Sequence, residues 1–430
     1  MMKRFTLWQK SPAMVCMIAL TAVGYAETSP TLTVRDGQVI LAGGAVKAAT
    51  DLRFDPAERQ SVKDEKLRLP ETMPEAWRGG NLAATRTTNA IPGCIYHETL
   101  VLRRADDGTT LTEGTDYRAD ATWGNVGLVP GSSITTATEV LASYDVSLQR
   151  LDGVDVAADG SVSVVKGEPH LVCPHPPPVT SGSVRLAHVY RPYKSTAVLQ
   201  EHIFLCGEKF AEPTRAEQIE RSARVAKTLA KLRAGEPVTI VTWGDSVTVG
   251  GDTSRPELAF ANLFITQLKE RFPQAKITHI NAAIGGSSTN DRLPGLDDDV
   301  LRHKPDLVTM EYVNDFHMPV EQIEKNWDEA LTRIKAAGAE PVVITPHFTL
   351  AAFMGVEKPP RKEVRPGVQV MRDAAEEHGA ALADTSRRWE HLAIEGLPYM
   401  TLLYNGINHP DDRGHELFVL DLMNLFPAAE

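Results

Sequence analysis

The period of the hydrophobic pattern changes near residue 210, so the 430-residue chain must build two kinds of architecture. From Thr31 to about Phe210 short apolar runs alternate with polar residues and are broken by turn residues. Leu32-Thr33-Val34 precedes Asp36-Gly37, Thr99-Leu100-Val101-Leu102 precedes Asp107-Gly108, and Ser161 to Val165 follows Asp159-Gly160. Period-two runs punctuated by Asp-Gly turns predict an antiparallel β-sandwich over residues 27–210, with Asp51 to Trp77 as a long excursion. From Thr214 to Arg233 the apolar residues fall at helical spacing, which predicts a linker helix within 211–236. Beyond it strands and helices alternate. Strands are expected at Val238–Trp243, Ile277–Ala283, Leu307–Tyr312, Pro341–Ile344 and Ala381–Ala383. Helices are expected at Leu258–Arg271, Arg292–His303, Val320–Ala337, Gly367–His378 and Asp412–Leu425. Residues 237–430 therefore predict an α/β domain with a parallel sheet and flanking helices, whose active sites form at the carboxyl ends of the strands.

Residues 1–26 have the pattern of an export signal. Lys3, Arg4 and Lys10 form a positive region, Ala13 to Val23 is apolar, and Gly24-Tyr25-Ala26 offers small residues before a cut at Glu27. The expected location is periplasmic or extracellular. Export permits a disulfide between two of Cys94, Cys173 and Cys206, and the sequence does not choose the pair. Cys94 and His97, with His170, Cys173 and His175, bring metal-ligand residue types together, but no CxxC pair supports them and no metal site or cofactor is predicted. The formal charge of -11 and the lack of any long basic stretch exclude a nucleic-acid groove, and no other apolar run is long enough for stable membrane insertion.

The chemistry-bearing residues cluster at predicted strand ends. Thr242-Trp243-Gly244-Asp245-Ser246 runs from the first strand into a serine that emerges at the sheet edge. The second strand ends in Asn281 to Thr289 with Gly285-Gly286, the third in Tyr312-Val313-Asn314-Asp315, and Asn405-Gly406-Ile407-Asn408-His409-Pro410 precedes the last helix. Ser, Gly, Asn and His in this order resemble the SGNH branch of the GDSL esterase/lipase superfamily, from about Val238 to Phe426. The resemblance implies a flavodoxin-like α/β fold with Ser246 as nucleophile and His409 as its base. It also implies an oxyanion hole made of the Ser246 and Gly286 backbone N–H groups and the Asn314 amide.

Two positions depart from the family pattern. The residue three before His409 is Gly406 where the family has Asp, so Asn405 or a backbone carbonyl is expected to orient the imidazole. The residue two before Asn314 is Tyr312 where the family has Gly, which would narrow the pocket. Trp243, Tyr312, His317 and His347 lie near strand ends and are candidates for substrate contacts. The expected activity is hydrolysis of short acyl esters, chiefly acetyl, on carbohydrate through an acyl-serine. The rival readings are acyl transfer to a glycan and a non-catalytic glycan-binding protein on a hydrolase scaffold.

Overall fold

The computed structural model describes residues 31–35, 38–43 and 50–428. The expected export signal lies outside them, and no described helix is long and apolar enough to cross a membrane.

The C-terminal half is built on one sheet of five parallel strands, Pro237–Gly244, Lys276–Asn281, Leu307–Glu311, Glu340–Ile344 and Ala381–Ala383. The second strand lies at the edge, the first beside it, and the other three follow in chain order. The winding direction therefore reverses at the first strand, and in open parallel sheets ligands bind at such a reversal. Alternation along the strands feeds two cores. Val238, Ile240, Leu307, Val342 and Ile344 pack under the helices Phe260–Arg271 and Asp412–Met423, through Phe260, Phe264 and Phe418. Val241, Trp243, Val308, Met310 and Val343 face the helices Val320–Ala336 and Pro366–Glu377, through Trp327, Ile334 and Met371. Such a sheet, buried on both sides, reads as nearly continuous hydrophobic runs.

The helix expected over Arg292–His303 is instead a series of short turns, because Pro294 and Gly295 interrupt it. The linker helix is likewise two pieces, Arg215–Ser222 and Ala226–Ala234, joined by a tight turn at Ala223–Val225. A helix at Thr385–Leu392 had no counterpart in the sequence reading.

The described part of the N-terminal half is antiparallel, as its alternating pattern requires. Arg59–Leu67, Val140–Ser147 and Ile95–Arg104 form one sheet, and Val162–Val165, Arg150–Ala157, Ser183–Arg191 and Ile203–Leu205 form another. Arg59–Leu67 lies in the segment expected as an excursion. It is an edge strand, mostly exposed, so its sequence lacks the apolar alternation that marks a half-buried strand. The two halves are packed together. Tyr190 and Phe204 bury against Ala393, Leu397 and Met400, the His188 Nδ1 lies 2.8 Å from the Gly396 carbonyl, and Arg361 donates to the carbonyls of Glu201 and Ile203 at 3.0 and 2.7 Å.

The disulfide that export would permit is not formed: Cys94, Cys173 and Cys206 are all free thiols. Cys94 and Cys173 are buried in one small apolar cluster with Ile91 and Val172, and Cys206 is half-buried beside the His188 ring. Cys94 donates to the Ile91 carbonyl at 3.3 Å, and burial pushes its thiol up to about 12. Addition of a thiol reductant should accordingly leave the thermal unfolding midpoint unchanged. A drop of several degrees would show that a disulfide stabilises the native chain.

Candidate active site

The carboxyl end of the first strand opens into a cleft of about 650 Å³, lined by Ser246, Gly285, Gly286, Asn314, His317, Phe353 and His409 together with Trp77, Arg78 and Asn89 from the N-terminal half. Ser246 begins the one-turn helix Ser246–Val249. Asp245 caps that turn, accepting from the Val247 N–H at 3.0 Å, and its other oxygen accepts from the Asn314 N–H at 3.0 Å. One buried carboxylate thus fixes the serine turn relative to the asparagine turn. Burial pushes Asp245 up to about 6, and neighbouring Glu311, buried beside that charge, is raised well above the usual carboxylate range. Glu311 accepts from the Thr248 hydroxyl at 2.9 Å, which completes the buried support.

His409 arrives from the loop before the last helix and bridges two side chains. Its Nε2 accepts from the Ser246 hydroxyl at 2.8 Å, and its Nδ1 donates to Asp252 Oδ2 at 2.6 Å. Asp252 is only 5% exposed in its side chain. Burial raises its pKa, but hydrogen bonds from His409 and Thr88 outweigh that and hold the carboxyl below its ordinary value. The residue sits in the left-handed region at φ +65°, a conformation Asp tolerates better than most side chains. Gly251 precedes it, and a Cβ there would lie 2.8 Å from His409 Cε1 and 2.9 Å from Nδ1. Only glycine lets the ring come this close to the turn. Asp412 braces the segment further, accepting from the Ser254 N–H and hydroxyl at 2.9 and 2.5 Å.

Asp252 corrects the expectation for Asn405. The Asn405 side chain is fully buried and its Oδ1 accepts from the N–H groups of Ile407, Asn408 and His409, each at 2.9 Å. It shapes the loop that carries His409 and does not take the Nδ1 proton; neither does a backbone carbonyl. The signal in the sequence was the acid six positions after Ser246, behind two glycines, in a stretch with no periodicity to mark it.

Gly286 has φ +76° and open space where a side chain would begin, so its backbone can turn towards the cleft. Asn314 Nδ2 donates to the Ser287 carbonyl at 3.1 Å, and its second N–H is available to a group in the cleft it lines. His317 also lines the cleft, against Phe316 and Phe353. The other three proposed substrate contacts do not reach it. Trp243 and Tyr312 are fully buried, edge to face, on the sheet side covered by Val320–Ala336, because their strand positions point them into that core. His347 is buried as well, with Nε2 2.8 Å from the Asn408 carbonyl, and supports the His409 loop from beneath. Among the described residues no group of three or more His, Cys, Asp or Glu could hold a metal ion.

The sequence model of the GDSL-like Lipase/Acylhydrolase family matches residues 242–417. No curated protein matches the chain. Among solved structures, a two-domain esterase (CEX) active on acetylated mannans is 22% identical with a TM-score of 0.40; the match covers 47% of this chain and 52% of that one, so the chain spans about half its length. Axe2, an acetylxylan esterase from Geobacillus stearothermophilus, is 20% identical at TM-score 0.38, over 45% of this chain and 95% of its own. LAE5, an alpha/beta hydrolase enzyme from the metagenome of Lake Arreo, Spain, is 24% identical at TM-score 0.37, over 44% and 97%. The C-terminal half carries a GDSL-like lipase/acylhydrolase domain.

Asn405→Ala should strip three buried N–H groups of their acceptor and cost about 2–3 kcal/mol of stability, read by urea denaturation. A loss below the error of the measurement would show that the loop holds its shape without Asn405.

Proposed function

We propose that the protein is an exported serine esterase that removes short acyl groups, chiefly acetyl, from carbohydrate. The observation that carries this reading is the unbroken chain of hydrogen bonds Asp252–His409–Ser246 at the floor of the shared cleft. Asp252 keeps the proton on Nδ1, which leaves Nε2 as the base. Ser246 Oγ attacks the ester carbonyl carbon while Nε2 takes its proton. The carbonyl oxygen becomes an oxyanion that receives the N–H groups of Ser246, Gly286 and Asn314. Collapse breaks the bond to the alkoxide, which leaves with the proton from Nε2, and the acyl group stays on Ser246. Water then gives a proton to Nε2 as its oxygen bonds the acyl carbon, the bond from that carbon to Ser246 Oγ breaks, Oγ takes the proton back from Nε2, and the acid leaves.

The cleft favours a carbohydrate over a lipid chain. Its walls combine the rings of Trp77, Phe316 and Phe353 with Arg78, Asn89, Ser288 and Asp291. Flat rings suit the apolar faces of sugars, and the polar groups suit their hydroxyls. The reading of a decayed, non-catalytic scaffold drew its force from the missing acid and from Tyr312; Asp252 stands at His409 in place of that acid, and Tyr312 is buried in the sheet core away from the cleft. Export rests on the pattern of residues 1–26.

Ser246→Ala should abolish hydrolysis of an aryl acetate and of acetylated polysaccharides, with the unfolding midpoint retained. Asp252→Asn should keep the fold and lower kcat by about three to four orders of magnitude. Asn314→Ala should lower kcat by about two orders with little change in KM, since its bond strengthens at the oxyanion. Ester turnover within tenfold of the parent in Ser246→Ala would sink the assignment.

A further inference from the structure

We propose that the tip of the loop Arg86–Ala90, in the N-terminal half, is a working part of the catalytic centre, with Thr88 as the residue that positions Asp252. This rests on the Asp252–His409–Ser246 reading above. The loop is a tight excursion closed by a bridge between Arg86 and Ala90, with the Thr87 N–H donating to the Asn89 carbonyl at 3.1 Å. Its root is anchored in its own half. Arg86 donates to the Gly80 carbonyl at 2.8 Å, the Ala90 N–H to the Trp77 carbonyl at 3.1 Å, and the Ile91 N–H to the Thr85 carbonyl at 2.8 Å.

The three residues at the tip all reach the other half. The Thr87 hydroxyl donates to the Tyr404 carbonyl at 3.0 Å, on the loop that ends in His409. The Thr88 hydroxyl donates to Asp252 Oδ1, the carboxylate oxygen that His409 does not use. Asn89 lines the cleft beside Ser246. Behind the tip, Gly406 lies against Ile91 and Pro92, so the loop and the His409 segment are packed together.

Asp252 stands on a left-handed backbone and its carboxylate is free to rotate about its last torsion unless both oxygens are engaged. His409 engages one oxygen and Thr88 the other. A carboxylate held at both oxygens keeps the imidazole in the plane and tautomer that direct Nε2 at Ser246. The other titratable groups around this pair are Asp245 beneath Ser246, His347 under the His409 loop, His415 on the last helix, and Asp412 at Ser254. None of them supplies a hydrogen bond to either oxygen of Asp252.

The test uses the full chain and two readouts. The first is inactivation by a fluorophosphonate, in which a Ser246 O–P bond forms, fluoride leaves and His409 takes the hydroxyl proton; the second is the pH profile of aryl acetate hydrolysis. Thr88→Val should slow both reactions about tenfold at unchanged KM, because one hydrogen bond to a charged group is lost at an exposed position. Its acid limb should move to higher pH, since a carboxylate without the Thr88 donor binds the protonated imidazole more strongly. Thr88→Ser, which retains the hydroxyl, should restore the parent rate and limb. Arg361→Ala, which removes two other hydrogen bonds between the halves, should lower the unfolding midpoint and leave the limb in place. A parent-like rate and limb in Thr88→Val overturns the proposal, as does an Arg361→Ala shift equal to that of Thr88→Val. Parent-like labelling in Ser246→Ala would instead overturn the esterase reading itself, so the two failures are distinguishable.

Discussion

The bond between Asp252 and His409 is the constraint around which the rest of the site is arranged. A hydrogen bond at Nδ1 holds an imidazole in the tautomer that leaves Nε2 free to accept a proton, and here its acceptor lies in the turn that follows Ser246. That turn needs a glycine at 251 to admit the ring, a left-handed backbone at 252 to aim the carboxylate, and Ser254 tied to Asp412 to keep its shape. The C-terminal loop has a matching set of supports, with Asn405 gathering three N–H groups and His347 bonding the Asn408 carbonyl. Little of this concerns substrate. It serves to place one ring.

Beneath the ring the protein tolerates an unusual density of buried acid. Asp245, Glu311 and Asp315 all lie at the strand ends, and burial raises all three. Their value is geometric. Asp245 joins the serine turn to the asparagine turn, while Asp315 accepts from the Thr289 N–H and the Trp327 indole at 2.8 Å each, and so joins the glycine loop to the helix that covers the sheet. Short polar side chains can link three separate loops where apolar packing has no direction.

The parallel sheet was legible because its inner strands are buried on both faces, so their apolar runs stand out against helical spacing. Ser246, Gly286, Asn314 and His409 were legible because each ends a strand or precedes a helix. Asp252 was not, since an acid in an irregular turn carries no period and its partner is 157 residues away. Trp243, Tyr312 and His347 show the converse error. Nearness to a strand end is visible in a sequence, but the face to which a side chain points depends on what covers the sheet. The contacts of Thr87, Thr88 and Asn89 were hidden for a further reason: they depend on how two independently patterned halves dock, which neither pattern specifies.

Asp252 and Ser246 share one short stretch of chain, six positions apart, and the imidazole between them comes from the far end of the sequence. The spacing between Asp252 and Ser246 is therefore set within one short stretch of backbone, which Asp412 of the last helix braces through Ser254. The imidazole is a span whose two abutments, Asp252 and Ser246, stand on one stretch of chain, so a single turn sets where both of its nitrogens rest.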